Sequence, residues 1–465
     1  MKRKYEIDMV QGALLPKILL FAIPLLFSSV LQLLFNAADI VVVGRFGRDG
    51  AHSIAAVGST GSLINLIVSL FVGLSVGVNV LAARYFAARE KQNMSETVHT
   101  SVMLALIGGV LVGAFGFAVS APVLRMMGTP PEVLPLAVLY MRIYFLGAPV
   151  LFLYNLGSAI LRAVGDTRRP LFFLIISGSI NVALNVFFVV ALHMDVAGVA
   201  AATVFSEAVS AFMILRCLLI TEESYRLVPS RLRVNRHKLG LILKIGVPAG
   251  VQGMIFSFSN VLIQSSVNSF GSIAMAGNAA GANLEGFVYM SMNAVYQASV
   301  SFTSQNYGAG NLKRVDRVLA TCMATVFVIG LVMGNGFRFF GRELLGLYTD
   351  DPAAIAYGLR RMSVICSLYF LCGLMDTVCG SLRGLGYSVL PMVVSLIGAC
   401  GFRIVWIYTY FRTHHDLTVL YMSYPISWTL TGLVHLLCFF MIRRKLVAGG
   451  PHGEHRRPDA TKKQG

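Results

Sequence analysis

Apolar residues dominate this chain in long stretches separated by short polar segments. A helix needs about 17–25 apolar residues to cross a bilayer. Stretches of that size fall at 18–43, 54–82, 98–121, 135–159, 170–192, 196–220, 241–268, 274–303, 316–337, 356–379, 388–411 and 418–442. Twelve spans are predicted, and the pattern is written twice. Pro24, Asn36 and Phe46-Gly47 recur 224 positions later as Pro248, Asn260 and Phe270-Gly271. Met141, Leu161-Arg162-x-x-Gly165 and Pro170 recur 221 positions later as Met362, Leu382-Arg383-x-x-Gly386 and Pro391. The Ile54-Ala55 pair returns as Ile273-Ala274. Six spans per copy is an even number, so both copies enter the membrane with the same polarity. Such repeats are related by an axis along the membrane normal, and secondary transporters place substrate between them. The expected fold is an all-α polytopic membrane protein with two pseudo-symmetric six-helix lobes at 1–220 and 241–445. A basic connector at 221–240 joins the lobes, and a disordered tail follows at 446–465.

Composition agrees with a membrane chain. It is 56% hydrophobic and only 13% charged, against about 25% charged in soluble domains. The net charge of +17 would suit nucleic acid were it not for its distribution. With Met1 in the cytoplasm, about 28 of the 38 Lys and Arg fall on the cytoplasmic side. They include Lys2-Arg3-Lys4, Arg84 to Lys91, Arg168-Arg169, Arg226 to Lys244, Lys313-Arg314 and Arg443-Arg444-Lys445. This is the positive-inside bias. It predicts a multi-pass protein of the inner (plasma) membrane with both termini cytoplasmic, the lipid bilayer as its surroundings and no nucleic acid partner.

The first apolar run is too long for a signal peptide and should stay uncleaved. The connector alternates Arg226, Arg231, Arg233, Arg236 and Lys238 with Leu227, Val228, Leu232, Val234 and Leu239. That spacing fits either an amphipathic helix on the inner leaflet or a solvated linker. Seven cysteines lie in apolar runs without metal-ligand spacing, so they read as small buried residues. Gly-x-x-x-Gly pairs at 73/77, 109/113, 246/250, 277/281 and 330/334 would let helices approach closely. Gly73-x-Ser75-x-Gly77 matches a hydrolase elbow, but it stands mid-helix, where that chemistry has no geometry. Lone His435 reads as hydrogen-bonded packing.

The candidate chemistry is polar side chains inside spans. Span 1 carries Ser28, Gln32, Asn36 and Asp39 on one helical face. A carboxylate at mid-helix costs about 2.5–3.5 kcal/mol on insertion scales, which a wet cavity or a bound cation would offset. Pro24 removes a helix hydrogen bond and is the expected bend point. Span 5 offers Ser177, Asn181 and Asn185, and span 6 offers Thr203, Glu207 and Ser210. Carboxylate, amide and hydroxyl oxygens suit protons and hard cations. Span 7 carries Gln252, Asn260, Gln264 and Asn268, with Ile263 at the position aligned to Asp39. Glu285, Tyr289, Asn293 and Tyr296 follow in span 8, and Asp376 in span 10. Acids beside aromatics suit an organic cation; the alternative for Glu285 and Asp376 is a structural pair with Arg403 or another buried Arg.

These residues resemble the multidrug and toxic compound extrusion (MATE) family, its bacterial DinF-like branch in particular. The resemblance rests on Ile23-Pro24, Asn36-Ala-Ala-Asp39-Ile-Val-Val-Val-Gly44, Gln305-Asn306-x-Gly308-Ala309-x-Asn311-x-x-Arg314 and the paired Leu-Arg-x-x-Gly blocks. It implies a central V-shaped cavity and export of small-molecule drugs, often organic cations, in exchange for H+ or Na+. Asp39 matches the family's span-1 aspartate and Pro24 its kink proline. Asn181 and Thr203 match the N-lobe ion site of the branch. Asn185 stands where that branch often has Asp, and Phe256 where another branch has a glutamate.

The resulting assignment puts ion coupling on Asp39, Asn36, Asn181, Asn185 and Thr203, with Asp39, Asn181 and Thr203 as Na+ ligands. Substrate contacts fall to Gln32, Asn260, Gln264, Glu285, Tyr289 and Asp376. No cofactor beyond the coupling cation is expected, and the chain should work as a monomer. A lipid-linked-sugar flippase of the same superfamily is disfavoured because the mid-span charges are mostly acidic, whereas such cavities carry Arg and Lys. An intramembrane enzyme lacks any catalytic pairing at usable spacing; a channel is the third alternative.

Overall fold

The computed structural model describes residues 5–47 and 50–448. The Lys2-Arg3-Lys4 cluster and the expected tail from Gly449 onward lie outside the described residues. Helices joined by short segments make up the described chain. The first half holds α1 (Leu14–Phe46), α2 (Gly50–Ala87), α3 (Lys91–Met126), α4 (Leu134–Leu146), α5 (Ala148–Ala163), α6 (Arg168–Val186) and α7 (Asp195–Ile220). The second holds α8 (Arg236–Asn268), α9 (Ser272–Gly308), α10 (Leu312–Phe339), α11 (Gly341–Gly346), α12 (Pro352–Ile365), α13 (Phe370–Gly384), α14 (Val389–Ser395), α15 (Phe402–Trp406) and α16 (Leu417–Ala448).

Among the described residues, nine single helices are long and apolar enough to span a membrane, and two bent pairs raise the number to eleven. The twelfth rod, α9, is 37 residues long but too polar to pass that test. It carries Asn278, Glu285, Asn293, Gln297 and a Ser/Thr-rich last third. It tolerates them because α10, α12, α13 and α2 surround it, so its polar groups meet protein or the central cavity instead of lipid. Large apolar side chains such as Leu111, Phe115, Phe212, Val332, Leu437 and Phe440 are exposed on the outer faces, where acyl chains would cover them.

The sequence repeat reappears as repeated irregularity. The fourth span bends by 49° between α4 and α5, and the tenth by 45° between α12 and α13. A π-helical segment at Phe187–Ala191 has its counterpart at Ile407–Phe411, and the second half adds another at Leu396–Gly401. Gly165 and Gly386, the repeat-related ends of α5 and α13, both have φ 93°, a conformation that glycine adopts without steric cost.

The halves meet along α2 and α8. Gly73 and Gly77 face Gly246 and Gly250 so closely that a Cβ on any of them would touch backbone of the other helix. The Gly-x-x-x-Gly pairs therefore do pack helices. Phe21 of α1 meets Phe302 of α9 edge-on at 5.7 Å, and Ser301 donates to Asn79 Oδ1 at 3.0 Å. All these contacts lie toward the end where the basic segments cluster, called here the basic end. A strap of residues 5–13 crosses that end. Ile7 N donates to Gly165 O at 3.2 Å. Asn306 Nδ2 donates to Met9 O at 3.1 Å, and Arg314 donates to Gln11 O and Gly12 O at 2.8 Å.

The connector is not an amphipathic surface helix. Residues 221–235 run mostly extended with one 3-10 turn at Pro229–Arg231. Tyr225 and Leu227 are buried. Val228 N donates to His99 Nε2 at 3.0 Å, and Asn235 donates to Glu96 and caps α8. Specific side-chain and backbone contacts with α3 outcompete the helical periodicity. His435 is buried with Nε2 3.3 Å from Pro391 O, as packing requires. The seven cysteines are free thiols.

Candidate functional site

Two polar sites flank α1. The first is a small buried pocket between the far half of α1, α6 and α7. Asp39 is 6% exposed there. Asn185 Nδ2 donates to Asp39 Oδ1 and to Asn181 Oδ1, the latter at 3.1 Å. Thr203 Oγ1 lies 3.4 Å from Asp39 Oδ2, and Asn181 Nδ2 lies 3.4 Å from Thr203 Oγ1. The i, i+4 step places Asn181 and Asn185 on one face of α6, and the inter-helix contacts bring that face to Asp39. Glu207, one turn past Thr203, is within electrostatic range of Asp39. Among the described residues no Lys or Arg is bonded to Asp39. Asn185 Oδ1 is buried and has no hydrogen-bond donor. The pocket thus presents one carboxylate, one orphaned amide oxygen and a hydroxyl, a donor set suited to a proton or a hard monovalent cation.

The second site is a cavity of about 620 Å³ between the halves. Ser28 and Gln32 of α1, Asn65 and Asn79 of α2, Gln252 and Phe256 of α8, and Tyr289, Asn293 and Tyr296 of α9 line it, with Asp376 from α13. The glycine contacts and the strap close its basic end. At the other end Gln32, Asn36, Asn65, Ser257 and Asn260 are exposed, so the cavity opens there. Pro24 lies inside α1, which continues through it as a helix, and its carbonyl accepts from Ser28 at 2.9 Å.

The expected residues separate accordingly. Asp39, Asn181, Asn185 and Thr203 come together, while Asn36 is exposed on α1 and joins neither group. Gln32, Tyr289 and Asp376 reach the cavity; Asn260 and Gln264 do not line it. Glu285 requires a correction. It is buried away from the cavity and held by Arg361 through two bonds of 2.9 and 2.7 Å. Arg361 also donates to Asn278 at 2.8 Å, and Asn278 donates to Gln264 at 2.8 Å. This network absorbs both residues into packing. Arg403 lies over Tyr424 at 4.3 Å and donates to Ser427, so it pairs with neither carboxylate.

The sequence reading also missed the cavity's cations. Arg162 and Arg383 line it, and with Asp376 they give a formal lining charge of +1. The signal was present in the twice-written Leu-Arg-x-x-Gly block, which had served only as a landmark. The argument from mostly acidic spans against an anion-handling cavity therefore does not hold at the cavity itself.

The MatE family profile matches residues 24–187 and again 248–409. The chain belongs to the MatE family. It is a multi-pass membrane transporter of the multidrug efflux type, not an enzyme. A probable multidrug resistance protein, YpnP of Bacillus subtilis (strain 168), is 30% identical over 392 residues, covering 84% of this chain and 87% of the relative. An FAD transporter of Shewanella oneidensis is 25% identical, covering 72% and 75%. A solved structure described as the outward-facing conformation of a multidrug resistance MATE family transporter superposes with a TM-score of 0.87 at 22% identity, over 96% of this chain and all of that one. Another, from Pyrococcus furiosus and described as having a binding pocket of reverse polarity, gives 0.88 at 22% identity.

Proposed function

We propose that this MatE transporter exports small amphipathic organic molecules in exchange for H+ or Na+, with Asp39 as the group that accepts the coupling ion. The observation that carries this reading is the position of α1. One helix lines the cavity with Ser28 and Gln32 and, two turns further on, delivers Asp39 to a pocket in which no described Lys or Arg is bonded to it. A change at Asp39 is therefore transmitted along one rigid rod to the cavity wall.

The order of events follows. With the cavity open away from the basic end, an ion enters the pocket and neutralises Asp39. Asn185 and Thr203 re-form their bonds around it, α1 shifts about Pro24, and bound substrate leaves. The halves, residues 1–220 and 241–445, then rock about their common axis, and release of the ion on the other side resets α1. The positive-inside bias orients the basic end to the cytoplasm of an inner membrane, with a monomer as the working unit. One charge crossing 100 mV is worth about 2.3 kcal/mol, enough for a roughly 50-fold substrate gradient at about 1.4 kcal/mol per decade.

The test is efflux of a fluorescent dye from proteoliposomes, driven separately by pH and Na+ gradients. Asp39→Asn should lower gradient-driven efflux about 10- to 50-fold, the loss of most of that driving energy, while the protein still reconstitutes. Unchanged efflux removes Asp39 from coupling. The arginines in the cavity favour a second reading, translocation of an anionic-headed lipid. Transbilayer movement of a fluorescent acidic phospholipid, absent from empty liposomes, would favour it over drug export.

A further inference from the structure

Arg162 and Arg383 are repeat mates 221 positions apart, each in the last turn of its helix, α5 and α13. Both line the central cavity, but their surroundings differ. Arg383 is occupied. It bonds the Tyr296 hydroxyl, donates to Gln252 Oε1 at 2.8 Å, and has Asp376 two turns back on the same face of α13. The Arg162 guanidinium has no hydrogen bond or ion pair with any described residue; its electrostatic neighbour is the Tyr154 phenol, two turns earlier on α5.

A guanidinium within the membrane-spanning part of a protein costs several kcal/mol unless an anion or water compensates it. Intramembrane ionisable residues without a structural partner mark substrate or ion pathways. The planar guanidinium fork matches carboxylate and phosphate oxygens two at a time. Asp376 is the only acidic residue among the described residues that line the cavity, and Arg383 lies close enough to offset it. The first-half wall of the cavity therefore carries an uncompensated positive charge.

We propose that Arg162 is the docking point for an oxyanion, a carboxylate or a phosphate, on the transported molecule. The aromatic and apolar part of the substrate then lies across Phe256 and Tyr289, and any cationic group on it points to Asp376. This deepens the export reading and rests on it for the word substrate. The binding site itself needs no gradient.

The probe pair is rhodamine B, a zwitterion with a free carboxylate, and its cationic ethyl ester. Their binding to the full-length protein in nanodiscs is read by fluorescence anisotropy without any ion gradient, so a failure of coupling leaves the result untouched. The acid should bind about tenfold more tightly than the ester, the worth of one good charged contact. Arg162→Gln should bring the acid to the ester's level and leave the ester within twofold, and Arg162→Lys should keep part of the preference. Equal binding of the two dyes, or Arg162→Gln weakening both alike, overturns the proposal. Competition on the unaltered protein guards against a misfolded variant. Octanoate or octyl phosphate should displace rhodamine B at lower concentration than octanol, and whichever is stronger identifies the oxyanion. Displacement no better than octanol's by both overturns it.

Discussion

In the first half, a buried carboxylate is met by an amide and a hydroxyl; in the second, a buried carboxylate is met by a guanidinium. Asp39 has Asn185 and Thr203 around it. Glu285 has both oxygens on Arg361, which is itself fixed by Asn278 and stacked within 5.5 Å of the Tyr421 ring. The position aligned with Asp39 is Ile263, 2% exposed in an apolar cluster. Duplication thus produced two scaffolds with the same bends and one shared π-helical turn, but of these two carboxylates only Asp39 lacks an ion-pair partner among the described residues. An ion pair is a fixed strut. A lone carboxylate with hydrogen-bond donors has two states of similar shape, one of which needs an ion from outside.

The largest effect expected from this contrast is on stability. Glu285→Gln leaves Arg361 buried without its anion and should cost about 3–5 kcal/mol, read as a lower melting temperature in detergent. Asp39→Asn removes a charge that had no partner and should change stability by less than about 1 kcal/mol. Replacing both members, Glu285→Gln with Arg361→Met, should recover part of the loss, because the uncompensated cation is gone. Equal destabilisation by Glu285→Gln and Asp39→Asn would break the comparison.

Next in size is the seam where the halves meet. A Cβ on Gly246 would meet Leu74 Cα at 2.7 Å and Gly73 O at 3.1 Å, while one on Gly286 would meet nothing within 4 Å. Gly246→Ala should cost about 1–3 kcal/mol, the usual penalty for overpacking, and Gly286→Ala should be neutral or slightly stabilising because alanine favours helix. A seam that separated freely would show no difference in melting temperature. Weaker still is the strap. Arg314→Gln removes hydrogen bonds to Gln11 O and Gly12 O and should loosen the basic end by about 1 kcal/mol. Limited proteolysis should then cut near residue 12 more quickly, and unchanged protection would show that the strap is held by its other contacts, at Ile7 and Met9.

Much of this was legible in the chain. Span positions and the duplication follow from run length, and Asn181 and Asn185 share a face because residues one turn apart do so whatever packs against them; that this face and Thr203 form an ion site with Asp39 was implied by the resemblance to the MATE family. The role of Glu285 was not legible. Its partner Arg361 sits 76 positions away on α12, and no local period links them. The cavity arginines were visible as letters in a repeat, yet which way a helix turns its last residue depends on the bend at Gly147 or at residues 366–369. The connector misled for a related reason: alternating Arg and Leu is equally good as an extended strand over α3, with Tyr225 and Leu227 inward.

A change in ion response sharpens the contrast most. Asn185 donates one amide hydrogen to Asp39 and one to Asn181. Asn185→Asp removes both donors and places a second carboxylate against Asp39. Two like charges at hydrogen-bond distance cannot both stay ionised unless they share a proton or bind a cation. Carboxylate oxygens with the Thr203 hydroxyl are good ligands for a hard cation. The variant should therefore respond to Na+ about three- to tenfold more than the parent, up to ~1.4 kcal/mol, in dye efflux at fixed pH. The aligned change in the second half, Ile263→Asp, has no amide or hydroxyl arranged to receive the ion. It should gain no Na+ response and should lose stability instead. If parent and Asn185→Asp respond alike to Na+, the first-half pocket works with protons or with no ion, and the lone carboxylate loses its distinction from the paired one.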